Sequence, residues 1–328
     1  MGEPTRIITG GIRPLPGRTM AEKRDFFASS LDHLRTSLIL EPRGHRDMFG
    51  ALLCEPADPG ADIGVFFMDS SGYLDMCGHG SIGAVTVALE MGIIEAAGPV
   101  ADLVLDSPSG LIHARAEIEN GAVQGVNIRN VPSFVVEREI ILEVPGYGEV
   151  PVQIAYGGNL FALIDADALG IETTSANTEK LTRAGMRILN LLHGTIEFRH
   201  PETGMDYTVN LVEFYSKKCS DRAHARNIVI FGNAQFDRSP CGTGTCAKMA
   251  ALHAQGSLKI GEDFVYESII GTTFTGRLVG ETRVGDIEAV IPEINSRAFI
   301  TGIQHFLIYP DDPLRHGFIP AATDTVLK

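Results

Sequence analysis

One short device occurs twice in this chain at a fixed distance, and that repeat restricts its architecture more than any other feature. Met76-Cys77-Gly78-His79-Gly80-Ser81 and Pro240-Cys241-Gly242-Thr243-Gly244-Thr245 each set a cysteine immediately before Gly-x-Gly. Each then runs into an apolar, alanine-rich stretch that stops at a glycine, Gly92 in the first copy and Gly256 in the second. An offset of 164 residues superimposes Cys77 on Cys241, Gly80 on Gly244 and Gly92 on Gly256. It also lands Phe67 on Phe231, in the strand-like run upstream of each cysteine. A repeat of half the chain length is not a solenoid. It predicts two similar domains facing each other across a pseudo-twofold axis, the paired loops at a cleft and the boundary in the turn around Asn130-Val131-Pro132.

Between and around the repeats, strand-like and helix-like patterns alternate. Strands are expected at Ile63 to Met68, Leu103 to Leu105, Val126 to Ile128, Val150 to Ala155, Thr208 to Phe214, Asn227 to Phe231 and Ala289 to Glu293. Helices are expected from Met20 to about Ser37, Ser81 to Glu90, Glu179 to Leu192 and Thr245 to Gln255. Many strands with few helices describe a mixed α/β (α+β) chain.

Composition narrows the function classes. The net charge of −14 carries no basic stripe, which argues against nucleic acid or an anionic membrane as partner. No apolar run approaches the length of a membrane span, and Met1-Gly2-Glu3-Pro4-Thr5-Arg6 does not read as a secretion signal. Five cysteines, at 54, 77, 219, 241 and 246, are sparse and odd in number, so no disulfide framework is expected and a reducing cytoplasm fits.

Several chemistries compete for the cysteine loops. A lone Cys-Gly-x-Gly is most simply a small buried residue beside a tight turn, but packing has no need of cysteine at the same point of both copies. Gly78-x-Gly80-x-x-Gly83, with Asp102 or Asp106 downstream, matches a dinucleotide fingerprint and raises an NAD-dependent oxidoreductase. That reading explains neither the leading cysteine nor the second copy, which ends in Ala247. A zinc deaminase would use Pro240-Cys241 with His200-x-Glu202, but Cys246 lies five positions after Cys241 rather than three, so no metal is expected. A thiol–imidazole hydrolase could pair Cys77 with His79 and leaves Cys241 without a role. A helix start offers unpaired N–H groups that bind a carboxylate and lower the pKa of a neighbouring thiol. Two such thiols suit inversion at a carbon, one sulfur removing a proton while the other delivers one to the opposite face.

The stretches Glu41 to Gly50, Met76 to Gly80, Asp237 to Thr245, Tyr266 to Thr272 and Asp312 to Phe318 resemble the proline racemase family over essentially the whole chain. The resemblance implies a diaminopimelate-epimerase-like fold, each half a β-barrel-like sheet around a central helix. Its C-terminal strands return to the first half, giving residues 1–130 plus about 296–328 around Cys77 and 131–295 around Cys241. It further implies a cofactor-independent amino-acid racemase acting as a homodimer on a small molecule. By position, Cys77 and Cys241 would be the acid/base pair, and Gly78, His79, Gly80, Gly242 and Thr243 would hold the carboxylate through backbone N–H groups. Asp237 would accept from the ring nitrogen. Phe49 and Phe231 stand where racemases of the family place apolar rings against the pyrrolidine, which favours proline over 4-hydroxyproline, the substrate of the family's 2-epimerases. Cysteine at both positions speaks against a trans-3-hydroxyproline dehydratase. The sequence opens at Met1-Gly2-Glu3-Pro4, where the family carries His-Thr-x-Gly just before Glu-Pro-x-Arg, so a shortened first strand is expected. Cys246 is expected to be a spectator in its helix, and Cys54 and Cys219 structural.

Overall fold

The computed structural model describes residues 2–320 and divides into two compact units. The first comprises Glu3–Ile128 with residues 296–320, and the second Arg129–Asn295.

In the first unit the strands are β1 (Thr5–Ile8), β2 (Phe49–Cys54), β3 (Ile63–Met68), β4 (Tyr73–Leu74), β5 (Val100–Ser107), β6 (Gly110–Glu119) and β7 (Ala122–Arg129). They pair in the order β1-β2-β3-β5-β6-β7, with β4 on the end of β3. β1 runs parallel to β2, and β3 parallel to β5. Helix α3 (Gly78–Glu90) touches β1 and β2 near one end of this order and β6 near the other, so the sheet curls around it. The outer side of β2 and β3 is covered by α1 (Met20–Ser30) and α2 (Asp32–Ile39), which bury Met20, Phe27 and Ile39 against Leu52, Phe66 and Met68.

The sequence predicts one helix from Met20 to about Ser37; two form instead. The break falls at Leu31, after the weak helix formers Ser29 and Ser30. Arg35 turns back to the Asp32 carboxylate at the start of α2 and donates to the Asp69 and Ser70 carbonyl oxygens, which fixes the second helix on a new axis.

The second unit repeats the plan. Its strands are β8 (Phe134–Val144), β9 (Gly148–Tyr156), β10 (Leu160–Asp165), β11 (Glu197–Arg199), β12 (Asp206–Thr208), β13 (Leu211–Ser216), β14 (Ala225–Phe231), β15 (Gln235–Asp237), β16 (Asp263–Ser268), β17 (Thr273–Val284) and β18 (Ile287–Ser296). The order is β18-β17-β16-β14-β13-β10-β9-β8, with β15 on β14 and a separate β11-β12 hairpin. Parallel pairs again fall at β10/β13 and β14/β16, matching β1/β2 and β3/β5. Helix α5 (Gly242–Ala254) touches β17 near one end of the order and β8, β9 and β10 at the other. Every residue from Gly242 to Ala251 is buried, as a helix enclosed by its own sheet must be. Helix α4 (Thr178–Leu192) covers the other face: Leu181, Ala184 and Ile188 pack on Val212, Phe214, Ile228 and Ile230. Both halves are thus the β-barrel-like sheet around a central helix that the resemblance implies.

Two expectations need correction. Thr208 to Phe214 is not one strand: Thr208 ends β12 and Leu211 begins β13. The returning C-terminal segment carries no named strand over residues 297–320. It is pinned to the first unit by an isolated bridge between Glu41 and Phe318, by Arg43 to Asp312 and by Ser37 to the Arg315 carbonyl oxygen. The opening strand, β1, has four residues. Among the described residues no helix is long and apolar enough to cross a membrane.

Candidate active site

Each cysteine caps its helix. Cys77 is the residue before α3 and Cys241 the residue before α5, so both helices start at the glycine after the cysteine, three residues earlier than predicted from Ser81 and Thr245. Glycine is a poor helix former, but at the first turn it lets the backbone come close to neighbouring groups. A Cβ on Gly80 would sit 2.8 Å from the Phe67 ring and 3.1 Å from Cys77 Sγ. One on Gly244 would sit 2.2 Å from Glu213 Oε2 and 3.2 Å from Cys241 Sγ.

The first helical hydrogen bonds run from Ser81 N–H to the Cys77 carbonyl oxygen (2.9 Å) and from Thr245 N–H to that of Cys241 (2.8 Å). The same two residues also donate their hydroxyls to those oxygens, at 2.8 and 2.6 Å. Earlier N–H groups of each first turn, from Gly78, His79 and Gly80 and from Gly242 and Thr243, lie outside the helical ladder and point along the helix axis. That is the donor set a carboxylate needs.

Around Cys77 the structure brings together two of the other expected residues. The His79 ring places Nε2 3.4 Å from Cys77 Sγ, and its plane meets the Phe49 ring edge-on with centroids 4.6 Å apart. The sequence offered the His79 ring to Cys77 only for a thiol–imidazole hydrolase and its backbone N–H for a carboxylate; the ring contact forms as the residue two positions on folds back in the first helical turn.

Around Cys241 the setting is polar and closed. Cys241 has φ 59°, in the left-handed region that disfavours a side chain, and its Sγ accepts from Gly244 N–H at 3.4 Å. The Thr243 hydroxyl lies 3.8 Å from the same sulfur and also takes a hydrogen bond from Asn159 Nδ2. Ser239 Oγ accepts from Cys241 N–H, while Asp237 Oδ1 accepts from Ser239 N–H at 2.7 Å, a turn-forming role for that carboxylate. Asn227 on β14 holds the Pro240 carbonyl oxygen at 2.7 Å. Phe231 ends β14 opposite Gln235 of β15, the strand that carries Asp237.

Glu213 was not foreseen. It lies on β13 with Val212 and Phe214 facing α4, so strand alternation turns it toward α5. It is fully buried, and Tyr266 donates to its Oε1 at 2.6 Å. Burial pushes its carboxyl up to about 7, against the opposing pull of Tyr266 and Lys248. The signal in the sequence was a single acid in the run Leu211-Val-Glu-Phe214, at an inward strand position.

The expectation that a helix start depresses the thiol pKa fails at Cys241. Burial raises it well above the ordinary thiol value, the negative charges of Asp237 and Glu213 add to that, and the Gly244 N–H and Thr243 hydroxyl offset only part. Cys246 is buried within α5 and raised for the same reason, and burial pushes Cys54 on β2 up to about 11. The two acids suggested for a dinucleotide are otherwise engaged: Asp102 pairs with Arg115, and Asp106 accepts from Ala57 and Asp58 N–H. Among the described residues no three His, Cys, Asp or Glu side chains are grouped to hold a metal ion.

Comparison with known proteins gives this architecture its class. The family model "Proline racemase" matches residues 1–319. The chain is 48% identical to a proline racemase of Clostridioides difficile over 97% of its length and 95% of that enzyme. It is 45% identical to a 4-hydroxyproline 2-epimerase of Streptosporangium roseum, again over 97% and 95%. A solved hydroxyproline epimerase from Agrobacterium vitis with bound trans-4-hydroxy-L-proline superimposes with a TM-score of 0.90 at 34% identity, covering 97% of this chain and 92% of that one. The fold and the comparisons define an isomerase of the racemase and epimerase class. The chain belongs to the proline racemase family.

Proposed function

We propose that this enzyme interconverts L- and D-proline without a cofactor, with Cys77 and Cys241 as its two acid/base groups. The observation that carries the reading is that both cysteines cap glycine-opened helices enclosed by their own sheets. As thiolate, one sulfur takes the α-proton; as thiol, the other gives its proton to the opposite face of the carbon. The broken C–H bond is replaced on the other side, and the two sulfurs leave with exchanged protonation states.

The α-proton is weakly acidic, so charge on the carboxylate must be met by fixed donors. First-turn N–H groups of Gly78, His79 and Gly80, and of Gly242 and Thr243, suit that task. His79 Nε2, within reach of Cys77 Sγ, would hold that sulfur in place. Asp237 would accept from the cationic ring nitrogen, whose charge would also offset the negative charges that raise Cys241. Half of the acid/base contribution disappears with either sulfur. Cys77→Ser or Cys241→Ser should lower racemisation about 10²–10⁴-fold or more, and L-proline in deuterated water should yield D-proline deuterated at the α-carbon. Racemisation that survives in either mutant removes the two-thiol mechanism.

Phe49, stacked edge-on against His79, supports unsubstituted proline. A ring hydroxyl buried against Phe49 and Phe231 without a partner costs about 1–3 kcal/mol, roughly ten- to a hundredfold in selectivity. Likeness to the Streptosporangium epimerase keeps 4-hydroxyproline as the second reading. Chiral chromatography of proline, 4-hydroxyproline and 3-hydroxyproline after incubation separates the two. The reading carries with it a homodimer in a reducing cytoplasm, where five free cysteines are stable; sedimentation equilibrium tests the assembly.

A further inference from the structure

The group of buried polar side chains behind Cys241 has no part in the scheme above, and it is too expensive to be idle. Glu213 Oε2 has no hydrogen-bond partner among the described residues, although a buried carboxylate oxygen normally has one. It lies against the Cα of Gly244, at the head of α5. A point one bond from that Cα is 2.2 Å from Glu213 Oε2 and 3.2 Å from Cys241 Sγ, so the oxygen and the sulfur are neighbours across Gly244. Gly244 N–H is the sulfur's backbone donor. The carboxylate and any thiolate therefore draw on the same helix terminus, and each disfavours charge on the other.

We propose that Glu213 is a positioning residue for Cys241: its carboxylate beneath Gly244 keeps that sulfur protonated in the resting enzyme, so that the resting enzyme offers Cys241 as the acid in one direction and the return direction starts from the exchanged state. This rests on the two-thiol reading for its catalytic meaning, though not for its measurement. The groups facing Glu213 set the balance. Tyr266 of β16 donates to Oε1, and Asn227 of β14 also favours the ionised carboxylate. Lys248 of α5 supplies a positive charge at longer range, with its Nζ 3.0 Å from the centre of the Tyr215 ring on Glu213's own strand. Asp237 of β15 adds a second negative charge, and Cys241 and Cys246 of α5 are the thiols that feel the carboxylate. A cation at Lys248 and a donor at Tyr266 both favour ionised Glu213, which is the form that holds the proton on Cys241.

The test is the pH profile of alkylation by iodoacetamide, read separately at Cys241 and Cys77 by peptide mass spectrometry on the full chain. In Glu213→Gln the Cys241 midpoint should fall by about one pH unit or more, giving about tenfold faster alkylation below the midpoint, while the Cys77 profile stays where it was. Tyr266→Phe leaves the carboxylate but removes the donor that favours its ionised form, so it should move Cys241 the same way by less. Folding is checked by circular dichroism, and Tyr266→Phe decides the matter alone if Glu213→Gln does not fold. An unmoved Cys241 midpoint in the folded variants overturns the proposal, as does an equal shift at Cys77. Alkylation needs no turnover, so a wild-type enzyme that fails to racemise proline would sink the proposed function and leave this result standing.

Discussion

Beneath Gly80 lies the ring of Phe67; beneath Gly244 lies the carboxylate of Glu213. The helix starts themselves run in parallel. Each cysteine caps a helix, a glycine follows it, and a hydroxyl four residues on locks the cysteine's carbonyl oxygen. The strands around them also follow one order, with parallel pairs at the same places. The backbone plan is therefore conserved between the units while the electrostatic setting is not. Cys77 has an apolar floor and an imidazole 3.4 Å away; Cys241 has an acidic floor and a left-handed backbone that strains it by about 1–3 kcal/mol. In the proposed reaction the two sulfurs would take opposite protonation states, and the unlike floors would supply that difference.

The sharpest way to break this comparison is to fill the space above each floor. In Gly244→Ala the new methyl would meet an immobile carboxylate oxygen at 2.2 Å, and Glu213 cannot retreat without losing Tyr266. We expect a loss of about 3 kcal/mol or more in urea denaturation and about a 10²-fold fall in turnover from the displaced sulfur. In Gly80→Ala the methyl meets the edge of a ring at 2.8 Å, which can tilt, so about 1–2 kcal/mol is expected. Equal costs at the two positions would mean that the difference in floors has no mechanical consequence.

A smaller effect separates the floors by charge. A carboxyl raised to about 7 on folding binds its proton more tightly in the fold than in the unfolded chain, where its value is the ordinary one. The contribution of Glu213 to stability is therefore largest at low pH and declines as pH rises from the ordinary carboxyl range through 7, on the order of 2 kcal/mol between pH 5 and pH 7. Lys248, pushed down to about 8 by burial, titrates above that window. Urea midpoints at the two pH values should converge in Glu213→Gln relative to wild type. A slope that persists unchanged in the variant would assign it to other groups.

Much of the first-unit loop was legible because its signals are local. Cys-Gly-x-Gly, the alanine-rich run and the closing glycine all fall within a few helical turns. Glu213 was not legible, since its partners Tyr266 and Gly244 are supplied by distant strand and helix segments and its own strand reads as ordinary alternation. The His79 ring was paired with Cys77 in the sequence only as a hydrolase base, because a motif defines the backbone before it defines the rotamer. Strands such as β6, with buried Ile112, Ala114 and Ala116 alternating with exposed neighbours, were hidden by short and weakly apolar residues. The break at Leu31 came from a tertiary contact, Arg35 to the Asp69 and Ser70 carbonyl oxygens, that outweighed helix continuity.

The smallest expected effect tests the part of the comparison said to be equal. Ser81 and Thr245 donate to the carbonyl oxygens of Cys77 and Cys241 from the same position in each helix. Both donors are fully buried, so removing a hydroxyl leaves the carbonyl with the backbone N–H alone and costs about 0.5–1.5 kcal/mol. Thr245 also reaches the Pro240 carbonyl oxygen at 3.2 Å. That second bond anchors the entry to the strained cysteine and should place Thr245→Val toward the upper end of the range and Ser81→Ala toward the lower. Thr245→Ser keeps the donor and should recover most of the loss. If Ser81→Ala cost more than Thr245→Val, the two loops would differ in their backbone supports as well as in their floors, and the equivalence inferred from the repeat would extend no further than the cysteines and glycines themselves.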